Sequence, residues 1–299
     1  MLRQGLIIKA QSGFFTVDTG AGPVICQLRG KLKQGRFRGD IAALGDRVQI
    51  TVLEDGSGVI EKVEERKRAI ARLDPRPQGA YQQVLLANPD QAVLVFACAH
   101  PTPKLRMLDR FLVIAEKQRI TAVIVANKID LVDKQQAQRI FGLYSALGYS
   151  VVYTSAKTGA GVDEFKAHLT GKISALAGPS GVGKSSLLNV IQPRLELTVD
   201  EVSAVNKGKH TTVTRELFAL DGSGYVADTP GWKSLALWDT GPEELDAYFP
   251  ELAPLVPQCQ FSDCTHVHEP GCAVLAGITS GKVHPQRYES YVRLRAGRD

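Results

Sequence analysis

Residues 1–70 alternate short apolar runs with turn-forming clusters. GLIIKA, FFTVD, PVICQL, RVQITVLE and GVIEKVE are separated by DTGAG, RGDIAALGD and EDGSG. Apolar runs of this length, cut by Gly and Asp, predict four to six short strands closing into a small β-barrel. An OB-like barrel fits the spacing, with an SH3-like barrel as the alternative. Residues 71–90 are rich in Pro, Gln and Asn and read as a linker.

The period then changes. AVLVFACA (92–99), TAVIVA (121–126), SVVY (150–153) and ISALA (173–177) are apolar without polar alternation. Between and after them lie helical stretches at 104–117, 133–147, 161–169 and 185–191, the last being SSLLNVI. Strands of that kind interleaved with helices predict a parallel sheet covered on both faces, an α/β domain over 91–235. RELFAL and GYVADT add two strands around a turn at Asp221–Gly224, and residues 236–299 form a third, mostly helical part ending in a basic helix over about 284–295.

Composition narrows the possibilities. The 299 residues predict two or three modest domains, and 44% hydrophobic against 22% charged residues excludes a disordered chain. The net charge of +5 is unevenly placed: residues 1–80 hold 14 basic and 9 acidic side chains, and residues 281–299 hold 5 and 2. Basic ends around a mildly acidic centre predict two contact surfaces for a polyanion. The loop RGKLKQGRFR, with Arg29, Lys31, Lys33, Arg36 and Arg38, reads as a nucleic-acid contact beside the barrel, a merely solvated loop being the alternative. No run of 18 apolar residues and no secretory h-region is found, which predicts a cytoplasmic protein that does not enter the membrane. Cys26 and Cys98 sit alone in apolar stretches and read as buried small hydrophobes, whereas Cys259, Cys264 and Cys272 cluster as a metal site would require.

The strongest chemical signal is Gly178-Pro179-Ser180-Gly181-Val182-Gly183-Lys184-Ser185, a full G-x-x-x-x-G-K-S between an apolar strand and a helix that runs on through Ser186. Its glycines let backbone N–H groups curl around phosphate oxygens, and the helix N-terminus adds partial positive charge. Lys184 would reach the β and γ phosphates and Ser185 would ligate Mg²⁺. Asp228-Thr229-Pro230-Gly231 ends the next strand, where Asp228 can hold a water on Mg²⁺ and the Gly231 N–H can sense the γ phosphate. Asn127-Lys128-Ile129-Asp130 follows the strand TAVIVA. The Asp130 carboxylate can accept from both N1–H and the exocyclic amine of guanine, whereas adenine offers the wrong donors. Asn127 would support the neighbouring loop and N7, and the Lys128 stem would cover the ring face. Backbone N–H groups of Ser155, Ala156 and Lys157 follow the strand VVY, where they can take the guanine O6. Guanine nucleotides, GTP and GDP, are thus the expected ligands.

The order of these segments is unusual. Ordinary GTPases run P-loop, switch I, DxxG, NKxD and SAK, but this chain runs NKID, SAK, P-loop and DTPG. A circular permutation reconciles the two, because new termini at an exposed loop leave core contacts intact. With that order and the cysteine cluster, the chain resembles the circularly permuted, small-ribosomal-subunit-dependent GTPases, the RsgA (YjeQ/YloQ) family. The resemblance implies a GTP hydrolase stimulated by the small (30S) subunit and acting late in its maturation. It also implies that the OB barrel and a zinc domain contact 16S rRNA. It marks GKHTTVT (208–214) as switch I, with Thr212 ahead of Thr211 as the Mg²⁺ ligand and Lys209 and Val213 departing from the usual pattern. His210 would position water or contact RNA, unless it is simply a surface histidine. Trp232 stands where small GTPases carry a water-orienting Gln, and an indole cannot activate water, so slow intrinsic hydrolysis is expected.

Cys259-x4-Cys264-x-His266-x5-Cys272 offers three thiolates and an imidazole, the donor set of a closed structural Zn²⁺ site. His268 competes with His266 on spacing, and the resemblance favours His266. Because the chain leaves the GTPase domain just after the DTPG segment, chain order predicts that the γ phosphate reorients the zinc domain. The chain is expected to be monomeric. A P-loop nucleotide kinase, and an RNA-binding scaffold with GTP as a structural ligand, are the competing readings.

Overall fold

The computed structural model describes residues 2–34, 39–73, 81–195, 215–228 and 240–298. Five strands, β1 (Leu2–Gln11), β2 (Phe14–Asp18), β3 (Pro23–Leu28), β4 (Arg47–Val52) and β5 (Gly58–Val63), close in the order β1-β2-β3-β5-β4 and back to β1. The β3–β5 pair is parallel and the others antiparallel, which is the OB-like rather than the SH3-like solution. Alternate residues Phe15 and Val17, and Val48 and Ile50, point inward onto Ile7, Cys26 and Ile60. Burial pushes the Cys26 thiol up to about 11, as expected of an inert core cysteine. Ser12 and Gly13 both take positive φ, so the β1–β2 hairpin turns in the two-residue geometry that matches strand twist.

Residues 71–90 are more than the linker their composition suggests. β6 (Ala69–Leu73) and β7 (Gln82–Ala87) pair antiparallel, and Ile70 and Leu86 are buried in the core of the following domain. The ribbon also grips the barrel: Val84 N donates to Asp40 Oδ2 at 2.8 Å and Ala87 N to Leu44 O at 2.7 Å. Backbone pairing and long-range burial thus override the Pro- and Gln-rich local signal.

The α/β domain has a sheet in the order β10-β9-β8-β11-β13-β12, built from β8 (Gln91–Ala97), β9 (Thr121–Asn127), β10 (Ser150–Tyr153), β11 (Ile173–Ala177), β12 (Arg215–Ala219) and β13 (Tyr225–Asp228). Only β12 runs antiparallel to its neighbour in this set. Every residue of β8 is buried, with Leu94 and Phe96 in one core and Val93 and Val95 in the other. Helices α1 (Leu105–Lys117) and α2 (Lys134–Ala146) cover the first face through Phe111, Leu112, Phe141 and Tyr144. Helices α3 (Val162–Leu169) and α4 (Lys184–Ile191) cover the second through Phe165, Leu169, Leu187 and Leu188. Strands buried on both faces explain the missing alternation in the sequence.

β1 belongs to both domains. Its first half pairs with β4 and closes the barrel; beyond an irregularity at Ile8, Lys9 and Ala10 pair with Glu216 and Arg215 of β12. Gly5 makes this strand's close approach possible, since a Cβ there would lie 2.4 Å from Val17 Cγ1. The third part carries α5 (Ala273–Thr279) and α6 (Pro285–Arg295), with a core of Leu245, Phe249, Leu252, Val274, Val283 and Tyr291 that also takes in Val113 of α1. Among the described residues, no helix is long and apolar enough to cross a membrane.

One buried carboxylate ties the barrel loop down. Asp46 is fully buried, accepts from Ala43 N at 2.7 Å, and pairs two-pronged with Arg66 at 2.8 and 2.7 Å. Asp46→Ala would leave the half-buried Arg66 guanidinium with only Asp40 O to bond and would unpair one backbone donor, so urea denaturation should report a loss of about 3 kcal/mol.

Candidate functional site: a loop cluster at the sheet edge and a Cys3His centre

The carboxyl ends of β8, β9, β10 and β11 bring three loops together. The first joins β11 to α4 over residues 178–183, where Gly178, Gly181 and Gly183 all have positive φ. At Gly178 a Cβ would lie 2.1 Å from Val95 O, and at Gly183 it would lie 2.4 Å from Asn127 Nδ2. These two glycines are therefore required by close packing as well as by backbone conformation. Pro179 and Val182 are buried beneath the loop, while Ser180 and Gly181 are exposed at its crest. Lys184 turns its ammonium inward, donating to Gly178 O at 3.0 Å and Pro179 O at 2.9 Å. Ser185 is buried in the first turn of α4 and Ser186 is half-buried beside it. Positive charge, the α4 N-terminus and a curled backbone thus share one spot, a ready anion cradle.

Asn127, the last residue of β9, binds the other two loops to the first. Its Nδ2 donates to Val182 O at 2.8 Å, and its Oδ1 accepts from Thr154 Oγ1 at 3.1 Å and Ala156 N at 3.3 Å. Lys128 adopts a left-handed conformation, φ 63°, which throws its side chain across to Gly181 O (2.6 Å) and to His100 O. Asp130 is exposed, and Ser155 Oγ donates to its Oδ1 at 2.6 Å, leaving Oδ2 open to a ligand's donors. Ala156 is half-buried and Lys157 exposed at the rim. Sequence reasoning found these loops but missed His100, whose contribution is a backbone carbonyl that no residue pattern announces.

Asp228 ends β13, in register with Leu176 of β11, which sets its backbone beside the 178–183 loop. Thr211, Thr212, His210, Gly231 and Trp232 lie outside the described residues. On the barrel, Arg29 pairs with Glu61 at 2.5 Å while Lys31 and Lys33 stand exposed on a short 3-10 turn pinned by half-buried Leu32; Arg36 and Arg38 lie outside the described residues.

In the third part, Cys259, Cys264, His266 and Cys272 converge, one donor atom from each lying within 4.8 Å of the others. His266 Nδ1 is 3.5 Å from both Cys259 Sγ and Cys272 Sγ. A tetrahedral Zn²⁺ with ordinary Zn–S and Zn–N bonds requires an S···N edge of about 3.6 Å, so the donors fit the ion. Burial and the neighbouring Cys272 and Cys259 push the Cys264 thiol up to about 12. His268 is exposed and outside the cluster, which resolves the choice in favour of His266. The far nitrogen of His266 lies 2.9 Å from Asp246 Oδ2, a carboxylate that would fix the tautomer presenting Nδ1 to a metal. Asp246 was invisible in the sequence, because 20 residues separate it from the histidine and it belongs to no spacing pattern.

Comparisons with known proteins agree along the whole chain. Residues 4–60 match the RsgA N-terminal domain and residues 63–238 match the RsgA GTPase. The small ribosomal subunit biogenesis GTPase RsgA of Thermotoga maritima is 44% identical, across 98% of this chain and 95% of that protein. Its counterpart in Moorella thermoacetica is 42% identical, across 98% and 96%. The crystal structure of YjeQ from Thermotoga maritima superposes with a TM-score of 0.81 at 40% identity, covering 100% of this chain and 99% of that one. YloQ, described as a circularly permuted GTPase, gives 0.78 at 33% identity, covering 100% and 95%. Both family models and relatives alike over nearly their full length agree with the fold and the rotated order of the loops described above: the chain belongs to the RsgA family of circularly permuted GTPases.

Proposed function

We propose that this chain hydrolyses GTP to GDP and phosphate, that the small ribosomal subunit stimulates it, and that it acts in the late maturation of that subunit through contacts with 16S rRNA. The observation that carries the reading is the convergence on Asn127 of the 127–130, 154–157 and 178–185 segments, which no single sequence motif would guarantee.

Asp130, steadied by Ser155, would accept from guanine N1–H and the exocyclic amine. Of the 155–157 backbone N–H groups, Ser155 N is held by Ala160 O at 2.9 Å and Ala156 N by Asn127 Oδ1 at 3.3 Å. The guanine O6 would therefore be taken by Lys157 N, or by Ala156 N in exchange for its long bond to Asn127. Gly178 to Gly183 wrap the phosphates, with Pro179, Ser180 and Val182 setting the loop's curvature. Lys184 exchanges its two carbonyl partners for β- and γ-phosphate oxygens, where its charge counts for more. Ser185, Thr212 and Asp228 would hold Mg²⁺, and the Gly231 N–H would sense the γ phosphate. Bound there, Mg²⁺ neutralises charge on the β and γ phosphates. His210 is the candidate for holding the attacking water in place of the missing Gln. Arg29, Lys31, Lys33, Arg36 and Arg38 would supply the barrel segment's contacts to rRNA. Zinc on Cys259, Cys264, His266 and Cys272 is structural, since four protein ligands leave no open position. The protein works in the cytoplasm as a monomer.

Phosphate release from GTP and ATP, with and without purified small subunits, tests the reading. GTP turnover should rise with subunits while ATP turnover stays at background, and Lys184→Ala should abolish both basal and stimulated rates. Transfer of phosphate to a small acceptor would favour a kinase, and binding without multiple turnover a scaffold. Base recognition has its own test. Asp130→Asn replaces one acceptor by a donor, which suits the C2 carbonyl of xanthine and opposes the guanine amine. GDP affinity should fall at least about 100-fold and XDP affinity should rise, read by titration calorimetry.

A further inference from the structure

Helix α6 uses one broad buried side for two sets of contacts. Tyr288 and Tyr291, three residues apart, turn toward the Cys3His centre, their hydroxyls donating to His266 O at 2.8 Å and Thr265 O at 2.9 Å. These two bonds hold the carbonyls around His266, whose backbone is left-handed at φ 60°. Arg287 and Ser290, again three residues apart, lie beside them on the same buried side of the helix and reach Asp109 of the α/β domain. Arg287 is fully buried: it donates to Asp109 of α1 at 2.7 Å, grips Glu251 at 2.6 and 3.3 Å, and lies 4.6 Å from the centre of the Phe249 ring. Ser290 Oγ donates to the second oxygen of Asp109, and Tyr144 of α2 donates to the first at 2.9 Å. Asp109 thus receives three hydrogen bonds from two other helices while sitting fully out of water on α1.

Lesser contacts surround this centre. Val113 enters the apolar core of the third part, Lys117 donates to Thr240 at 2.9 Å, and Arg106 pairs with Glu289 at 2.6 Å across the rim. Burial alone would drive the Arg287 guanidinium toward neutrality, but Glu251 and Asp109 outweigh it and hold the proton more firmly than usual. A guanidinium buried against two carboxylates tolerates little sliding, because any displacement leaves charge unpaired in a dry setting.

We propose that α6 is a strut that locks the zinc module onto α1 and α2 as one rigid body, so that the module keeps its orientation to the guanine-binding loops whichever nucleotide is bound. This runs against the expectation from chain order, in which the module swings with the segment after Asp228. α1 begins shortly after His100, whose carbonyl receives Lys128, so the module is referred to the base-binding side of the site rather than to the γ-phosphate side. The inference rests on the GTPase reading for the identity of the nucleotide.

Spin labels at Gln138→Cys on α2 and Lys282→Cys in the zinc module, both exposed positions, measure the relation directly. Pulsed dipolar distances in the full chain, loaded with GDP or with a non-hydrolysable GTP analogue, should coincide. A mean distance that shifts between the two by more than the width of the GDP distribution overturns the strut. Binding of both nucleotides is verified in the same samples, so a failure of the GTPase reading shows as absent binding and not as a distance change. Arg287→Met then removes the guanidinium while keeping an apolar side chain of comparable length. With zinc content still one per chain, the distribution should broaden. An unchanged distribution in that folded, zinc-loaded variant overturns the proposal too. If Arg287→Met does not fold, Ser290→Ala, which removes a single donor to Asp109, is read by the same criterion.

Discussion

Asn127 is the constraint on which the nucleotide side depends. Its carboxamide donates to the 178–183 loop and accepts from the 154–157 loop, and its own backbone ends β9. A carboxamide has a donor end and an acceptor end, so one side chain can serve two loops of opposite need. A lost bond here would leave Val182 O or Thr154 Oγ1 unsatisfied in a buried place. The three loops are joined in space and not by chain order. That is the physical reason why a rotated sequence builds the same site: cutting and rejoining the chain elsewhere leaves every one of these bonds in place.

The third part is held to this sheet by buried charge, and a buried carboxylate also fixes a loop within the barrel. Asp46 with Arg66 secures the barrel loop, and Asp109 with Arg287 and Glu251 secures the third part. Such pairs add little net stability over well-packed apolar groups, but they penalise any other arrangement severely, since each alternative strands a charge. The placement of the third part is therefore specified by charge pairing as well as by the apolar core that takes in Val113. The zinc-binding loops add a further layer, with Tyr288, Tyr291 and Asp246 gripping the segment that carries His266.

Much of the architecture was legible in the residues. Uninterrupted apolar runs announced β8, β9 and β11 because both faces of those strands are covered, and GPSGVGKS announced a loop in which Gly178 and Gly183 have no room for a Cβ. NKID and TSAK were legible because base recognition demands fixed residue types. The ribbon of β6 and β7 was not, since Pro, Gln and Asn around it mask pairing partners that only the folded chain brings together. Asp246, Asp109 and Arg287 were silent for a related reason: each acts on a residue 20 to 178 positions away, and an isolated Asp or Arg has no period or spacing to betray it. His266 and His268 were equivalent on spacing, the family resemblance favoured His266, and the buried cluster around His266 agrees.

The passage of β1 from barrel to sheet has a consequence for how the chain can be divided. Lys9 and Ala10 occupy the outer side of β12, which would otherwise be the open border of the α/β sheet. An uncovered border of unpaired N–H and C=O groups is a template for strands from other molecules. The barrel is therefore also a cap, and a fragment trimmed to its GTPase and zinc portions would present a self-adhesive edge to its neighbours, favouring filaments or precipitate over a soluble enzyme.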